Sequence, residues 1–129
     1  MSTLSAISII DDDASVRAAT KNLLTSHGYI VHTFASAEEF LRSAHLNDTS
    51  CVIADVQMSV MSGLDLLTAL RDQGYRVPFI FITAFPDESV RARALKAGAI
   101  GFLAKPFAGP TLIKCLDTAL EERRSGADT

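Results

Sequence analysis

"SAISIIDDDASVR", Ser5 to Arg17, runs from an apolar segment straight into three consecutive aspartates. Ile7-Ser8-Ile9-Ile10 is short, β-branched and almost uninterrupted in its hydrophobicity, which is how a strand reads when helices cover both of its faces. Two more runs share the pattern, Cys51-Val52-Ile53-Ala54 and Phe79-Ile80-Phe81-Ile82. A fourth, "YIVHTF" at 29–34, carries polar residues at near-alternate positions, as an edge strand does. A fifth, "GFLA" at 101–104, is short.

Helical periodicity fills the gaps. Val16, Ala19, Leu23 and Leu24 recur at helical spacing and stop at Gly28. Ser36 and Glu39 match a capping box ahead of Phe40 and Leu41. Leu64, Leu67 and Leu70 form a stripe ending before Gly74, and Val90, Ala94 and Ala97 one ending at Gly98. The last stripe, Leu112, Leu116 and Leu120, follows Pro110 and frays into "RRSGADT". Strand and helix thus alternate five times, which predicts right-handed crossovers and an α/β fold, a doubly wound five-stranded parallel sheet.

A chain of 129 residues makes about one domain with a single core. Hydrophobic content of 48% with 21% charged residues belongs to a folded globular chain rather than a disordered one. A net charge of -3 leaves no basic footprint, so this segment is not expected to bind nucleic acid directly. The N-terminus has no secretory pattern and no apolar run reaches membrane-spanning length, so the expected location is cytoplasmic, without membrane attachment. Cys51 and Cys115, far apart and without histidine partners, read as buried thiols of the core. His27, His32 and His45 have no metal-ligand spacing and read as surface or structural residues.

In an open α/β sheet the ligand crevice lies beyond the carboxyl ends of the strands. Asp11, Asp12 and Asp13 follow the first strand, Asp55 the third, Thr83 the fourth and Lys105 the fifth. One rim therefore gathers acids, a hydroxyl and an ammonium. Two carboxylates ~5 Å apart at an effective dielectric of ~20 repel by about 3 kcal/mol. A proton, a cation or Lys105 must offset that. Oxygen ligands with room for water suit Mg²⁺, and an aspartate can serve as nucleophile to form an aspartyl phosphate.

The motifs "IIDDD", "ADVQMSVMSGLDLL", "VPFIFITAF" and "GAIGFLAKPF" resemble those of a response-regulator receiver domain, in the FixJ/NarL-like group of two-component transcription regulators. The resemblance spans about residues 5 to 122. It implies a flavodoxin-like strand order of 2-1-3-4-5, with a receiver domain at 1–124 and a C-terminal tail or truncated linker at 125–129. It implies that Asp55 accepts a phosphoryl group from a histidine kinase. Asp12 would bind Mg²⁺ directly with Asp11 assisting, and the backbone carbonyl of Gln57 would complete a metal site that includes Asp55. Lys105 would pair with the phosphoryl group, ahead of a cis bond to Pro106. Thr83 and Phe102 would be the switch residues, carrying the signal to the face of the fourth helix and fifth strand. Dimerisation on phosphorylation is compatible with the same resemblance. The chain would not be an enzyme beyond catalysing its own phosphorylation and dephosphorylation.

Plainer readings stand beside these. Asp13 is best explained as a helix N-cap, Thr83 is an ordinary strand residue were it not for its position, and Phe102 on its own is core. The sequence also departs from the resemblance. Ser59, followed by Val60, replaces the usual proline four residues after the acceptor, which predicts a freer loop. Phe102 lacks a hydroxyl, leaving packing alone for switching. Phe85, two residues after Thr83, is placed to hinder water and slow dephosphorylation. A haloacid-dehalogenase-type phosphatase would need a second acidic pair after a late strand, which "AKPF" lacks. A dinucleotide-binding domain would need a glycine-rich turn after the first strand. The remaining alternative is a receiver-like protein-binding module that works without phosphorylation.

Overall fold

The computed structural model describes residues 5–127. The apolar runs become β1 (Ala6–Ile10), β2 (Ile30–Phe34), β3 (Cys51–Asp55), β4 (Phe79–Thr83) and β5 (Gly101–Ala104). All neighbouring pairs are parallel, in the order β2-β1-β3-β4-β5. The helices are α1 (Ala14–Ser26), α2 (Ala37–Leu41), α3 (Gly63–Asp72), α4 (Glu88–Lys96) and α5 (Gly109–Ala127).

Successive strand residues point to opposite faces, so each central strand feeds two cores at once. Val52 and Ala54 of β3 join Phe79 and Phe81 of β4 on one side, packed with Phe40, Leu66, Leu67, Leu70 and Ala94 from α2, α3 and α4. Cys51 and Ile53 join Ile7, Ile9, Ile80 and Ile82 on the other, under Leu24 of α1 and Leu112, Leu116 and Ala119 of α5. This is why the runs are continuously apolar. Ser8, the polar member of β1, is buried but bonded to the Thr49 hydroxyl at 2.6 Å. β2 is an edge strand, as its mixed polarity predicts, with Ile30 exposed.

The helix ends follow the sequence signals with some corrections. Asp13 caps α1, its carboxylate accepting from Ser15 N–H and Val16 N–H. Gly28 and Gly74 follow the caps of α1 and α3 at φ 91° and 92°, a conformation that costs glycine little. The Ser36 box forms only by half. Ser36 Oγ accepts from Glu39 N–H, but Glu39 reaches back to Ala35 N–H, one residue before the cap. The reciprocal box is instead at Ser62 and Asp65. The α2 helix is five residues long and gives way to a 3₁₀ turn at Ala44–Asn47, which periodicity did not indicate. Cys51 is buried as expected, whereas Cys115 is only half-buried. The α5 helix runs through Ala127; residues 128 and 129 lie outside the described residues.

Candidate functional site

β3 and β4 are each one residue longer than their apolar runs, so Asp55 and Thr83 are the last residues of their strands rather than the first of the loops. The register sets Asp55 beside Ile82 and Thr83 beside Ala104, with Lys105 one step beyond. Asp11, Asp55 and Thr83 are buried, while Asp12 is exposed.

Lys105 closes the rim. Its Nζ donates to Asp55 Oδ2 at 2.7 Å and lies 2.9 Å from Asp11 Oδ2. The second contact is an ion pair, and beyond it the buried Asp11 Oδ2 has no hydrogen-bond partner. The other oxygen, Asp11 Oδ1, accepts from Asp13 N–H at 2.8 Å. Burial pushes the Asp11 carboxyl above its ordinary value, and the Asp13 N–H and the Lys105 ammonium only partly oppose it. Burial alone would lower Lys105, but the carboxylates of Asp55 and Asp11 outweigh it and hold the ammonium above its usual range. The lysine is therefore a fixed cation at neutral pH. The Lys105–Pro106 peptide is cis.

Asp11, Asp12 and Asp55 each present a carboxylate oxygen within 4.8 Å of the others. All of these donors are hard oxygens, one of them lacks a hydrogen bond, and one side of the cluster is open through exposed Asp12. That set suits a hard, partly hydrated cation such as Mg²⁺ and not a soft metal.

Other contacts around the site were not legible in the sequence. Gln57 N–H donates to Asp55 Oδ1 at 2.9 Å, and its side-chain oxygen accepts from the Thr83 hydroxyl at 3.2 Å. Phe85 N–H donates to Thr83 Oγ1 at 3.0 Å, while the Phe85 ring is largely exposed. Gly63, the first residue of α3, packs so closely behind Asp55 that an added Cβ would sit 2.5 Å from the Asp55 carbonyl oxygen. The segment after Asp55 is tied by Gly63 N–H to Val56 O and by Met61 N–H to Ser59 O, with Val60 between them at φ 70°. Phe102 is half-buried on β5 and lines a cleft of about 250 Å³ with Pro86, Asp87, Glu88 and Arg91. His32 and His45 stack on one another at 3.6 Å and take no part in the site.

A doubly wound parallel sheet whose carboxyl ends gather three aspartates, a threonine and a lysine on a cis-proline bond is the receiver type of α/β domain. The chain belongs to the response regulator receiver domain family, which it matches over residues 7–117. It is 40% identical over 124 residues to the transcriptional regulatory protein TdiR of Thauera aromatica, covering 96% of this chain and 55% of that protein. It is 33% identical to FixJ of Bradyrhizobium diazoefficiens, over 98% of this chain and 62% of the relative. The chain therefore spans little more than half the length of these relatives. Among solved structures, FixJ-N is similar at 35% identity and a TM-score of 0.83, covering 94% of this chain and 96% of that one. The response regulator StyR is similar at 37% identity and a TM-score of 0.87, over 98% and 65%. No helix among the described residues is long and apolar enough to cross a membrane.

Proposed function

We propose that this chain is a phosphorylatable signalling domain, accepting a phosphoryl group on Asp55 from a histidine kinase with Mg²⁺ and switching its α4–β5 face. The observation that carries the reading is the Lys105 ammonium, held on Asp55 and Asp11 at the rim of the sheet.

A carboxylate oxygen of Asp55 attacks phosphorus while the phosphorus–nitrogen bond to the kinase imidazole breaks and that nitrogen takes up a proton. Gln57 N–H and Lys105 restrict the Asp55 carboxylate to one orientation, so the nucleophile is positioned before the donor arrives. Lys105 keeps its proton throughout and faces the negative charge on the transferring group. Asp11, Asp12, Asp55 and the backbone carbonyl of Gln57 would hold Mg²⁺, which when bound neutralises charge on the phosphoryl oxygens. Hydrolysis reverses the modification when water attacks the same phosphorus. The new charge and acceptor oxygens draw on Thr83 and bias the packing of Phe102 against α4. The chain thus catalyses only its own modification and its loss. As part of a longer regulator it would act in the cytoplasm, passing the signal to a further domain or a second copy.

Incubation with Mg²⁺ and acetyl phosphate, read by intact mass beside Asp55→Asn, tests this. A gain of one phosphoryl group by the parent alone is expected. No gain by the parent would overturn the proposal and favour the binding module that signals without phosphorylation.

A further inference from the structure

Gln57 touches both ends of the proposed switch. Its backbone N–H donates to the Asp55 carboxylate at 2.9 Å, and its side-chain carbonyl accepts a hydrogen bond from the Thr83 hydroxyl at 3.2 Å. Thr83 is 1% exposed, so water does not compete freely for that hydroxyl. Phe85 N–H already occupies one of its lone pairs at 3.0 Å.

A hydroxyl has one proton to donate. In the unphosphorylated chain Thr83 donates it to Gln57, so a phosphoryl oxygen on Asp55 accepts that hydrogen bond only if Gln57 releases it. We infer that Gln57 is a positioning residue that latches Thr83 in the unphosphorylated arrangement, its amide competing with the phosphoryl group for the same hydroxyl proton. This rests on the reading of Asp55 as phosphoryl acceptor and adds to it the element that sets the resting state of the switch. Both ends of the latch respond to one event. A change at the Asp55 carboxylate disturbs the Gln57 N–H bond, and that movement is passed through a single residue to the Thr83 hydroxyl. The side chain of Gln57 is otherwise exposed, so it has little packing role to confuse with this one.

Removing the amide leaves the buried Thr83 hydroxyl without its acceptor in the free chain and unchanged in the phosphoryl-bound one. The bound state therefore gains relative to the free state. The net worth of one hydrogen bond corresponds to a change of about fivefold.

The test is titration of the full chain with beryllofluoride, a non-covalent phosphoryl mimic, at saturating Mg²⁺. Gln57→Met, which keeps the length and the backbone carbonyl, is expected to bind it about fivefold more tightly than the parent. Gln57→Asn, which keeps the amide but falls a methylene short, is expected to follow Gln57→Met. In a Thr83→Val background, Gln57→Met is expected to change nothing. A thermal melt on each variant separates a loss of fold from a shift in the latch. Equal or weaker binding by a folded Gln57→Met overturns the latch, as does a gain that persists in Thr83→Val. Failure of the parent itself to bind beryllofluoride or to take up phosphoryl overturns the acceptor reading beneath it, a distinguishable result.

Discussion

Asp11 is fully buried, and one of its oxygens has no hydrogen bond. Its raised pKa means that the folded chain holds this proton more tightly than the unfolded chain does. That stability is fully present below the ordinary value of 3.8 and is lost as pH rises through the folded value, so at pH 7 the ionised group is a cost. Asparagine keeps an oxygen for Asp13 N–H and removes the charge, while Lys105 retains Asp55 at 2.7 Å. Without metal, Asp11→Asn should stabilise the fold by about 1–2 kcal/mol at neutral pH. Melts in a chelating buffer check this, and a less stable variant would show that the Asp11–Lys105 pair outweighs the burial of the carboxylate. Val60 is a second residue held at a cost. It is 94% exposed, lies at φ 70°, and sits inside a three-residue turn closed by Met61 N–H on Ser59 O. Left-handed backbone in a β-branched residue costs of order 1–3 kcal/mol, and glycine returns part of that gain through its freer unfolded chain. Val60→Gly should therefore raise stability by about 1 kcal/mol in chemical denaturation, with no packing to lose; a variant less stable than the parent would contradict the strain.

The elements differ in how firmly they grip the sheet. The α3 helix buries Leu66, Leu67 and Leu70, and its first residue, Gly63, rests against the Asp55 carbonyl and the Phe81 ring, with a Cβ meeting them at 2.5 and 2.8 Å. Backbone cannot yield as a side-chain tip does, so Gly63→Ala should cost about 2 kcal/mol and slow phosphoryl uptake by shifting the end of β3. Unchanged stability would mean that α3 can slide on the sheet. The α4 helix fully buries only Ala94. Little apolar area is lost when it opens, so its amides should exchange faster than those of α3, as hydrogen-exchange mass spectrometry would reveal; equal protection would tie α4 to the core more tightly than its burial implies. Faster exchange of α4 beside Phe102 would suit the proposed switching face. Much of this frame is legible in the sequence. Two-sided burial leaves an unmistakable trace in "CVIA" and "FIFI", and the acidic and basic residues follow those runs directly. The Ser62–Asp65 box escapes because Asp65 is shorter than the Glu or Gln that the pattern calls for. The close approach of Gly63 to Asp55 and the Gln57–Thr83 bond escape for a different reason. They depend on how neighbouring loops and helices meet, and no periodicity encodes that.

At the scale of the whole molecule, the sheet that buries so much apolar surface also brings like charges together at its carboxyl rim, and Lys105 supplies one cation for three aspartates. The fold and the site are thus thermodynamically linked: a cation that binds the assembled rim, but not the unfolded chain, must stabilise everything beneath it. Free Mg²⁺ at 100 times its dissociation constant should add about 2.7 kcal/mol to the unfolding free energy, or about 10 °C in Tm for a chain of this size. The gain should shrink as pH falls toward the carboxylate range, because Asp11 takes up a proton before an unburied aspartate would and a protonated carboxyl no longer attracts the ion. Lys105 acts in a separate window. Its raised pKa lends stability that is complete below its ordinary value of 10.5 and lost only as pH rises through the folded value, so it does not blur the acid limb. Thermal melts from pH 5 to pH 8, with and without Mg²⁺, measure the linkage. The double variant Asp11→Asn, Asp55→Asn should lose most of the Mg²⁺-dependent shift; if it keeps the full shift, the stabilising ion binds somewhere other than this rim.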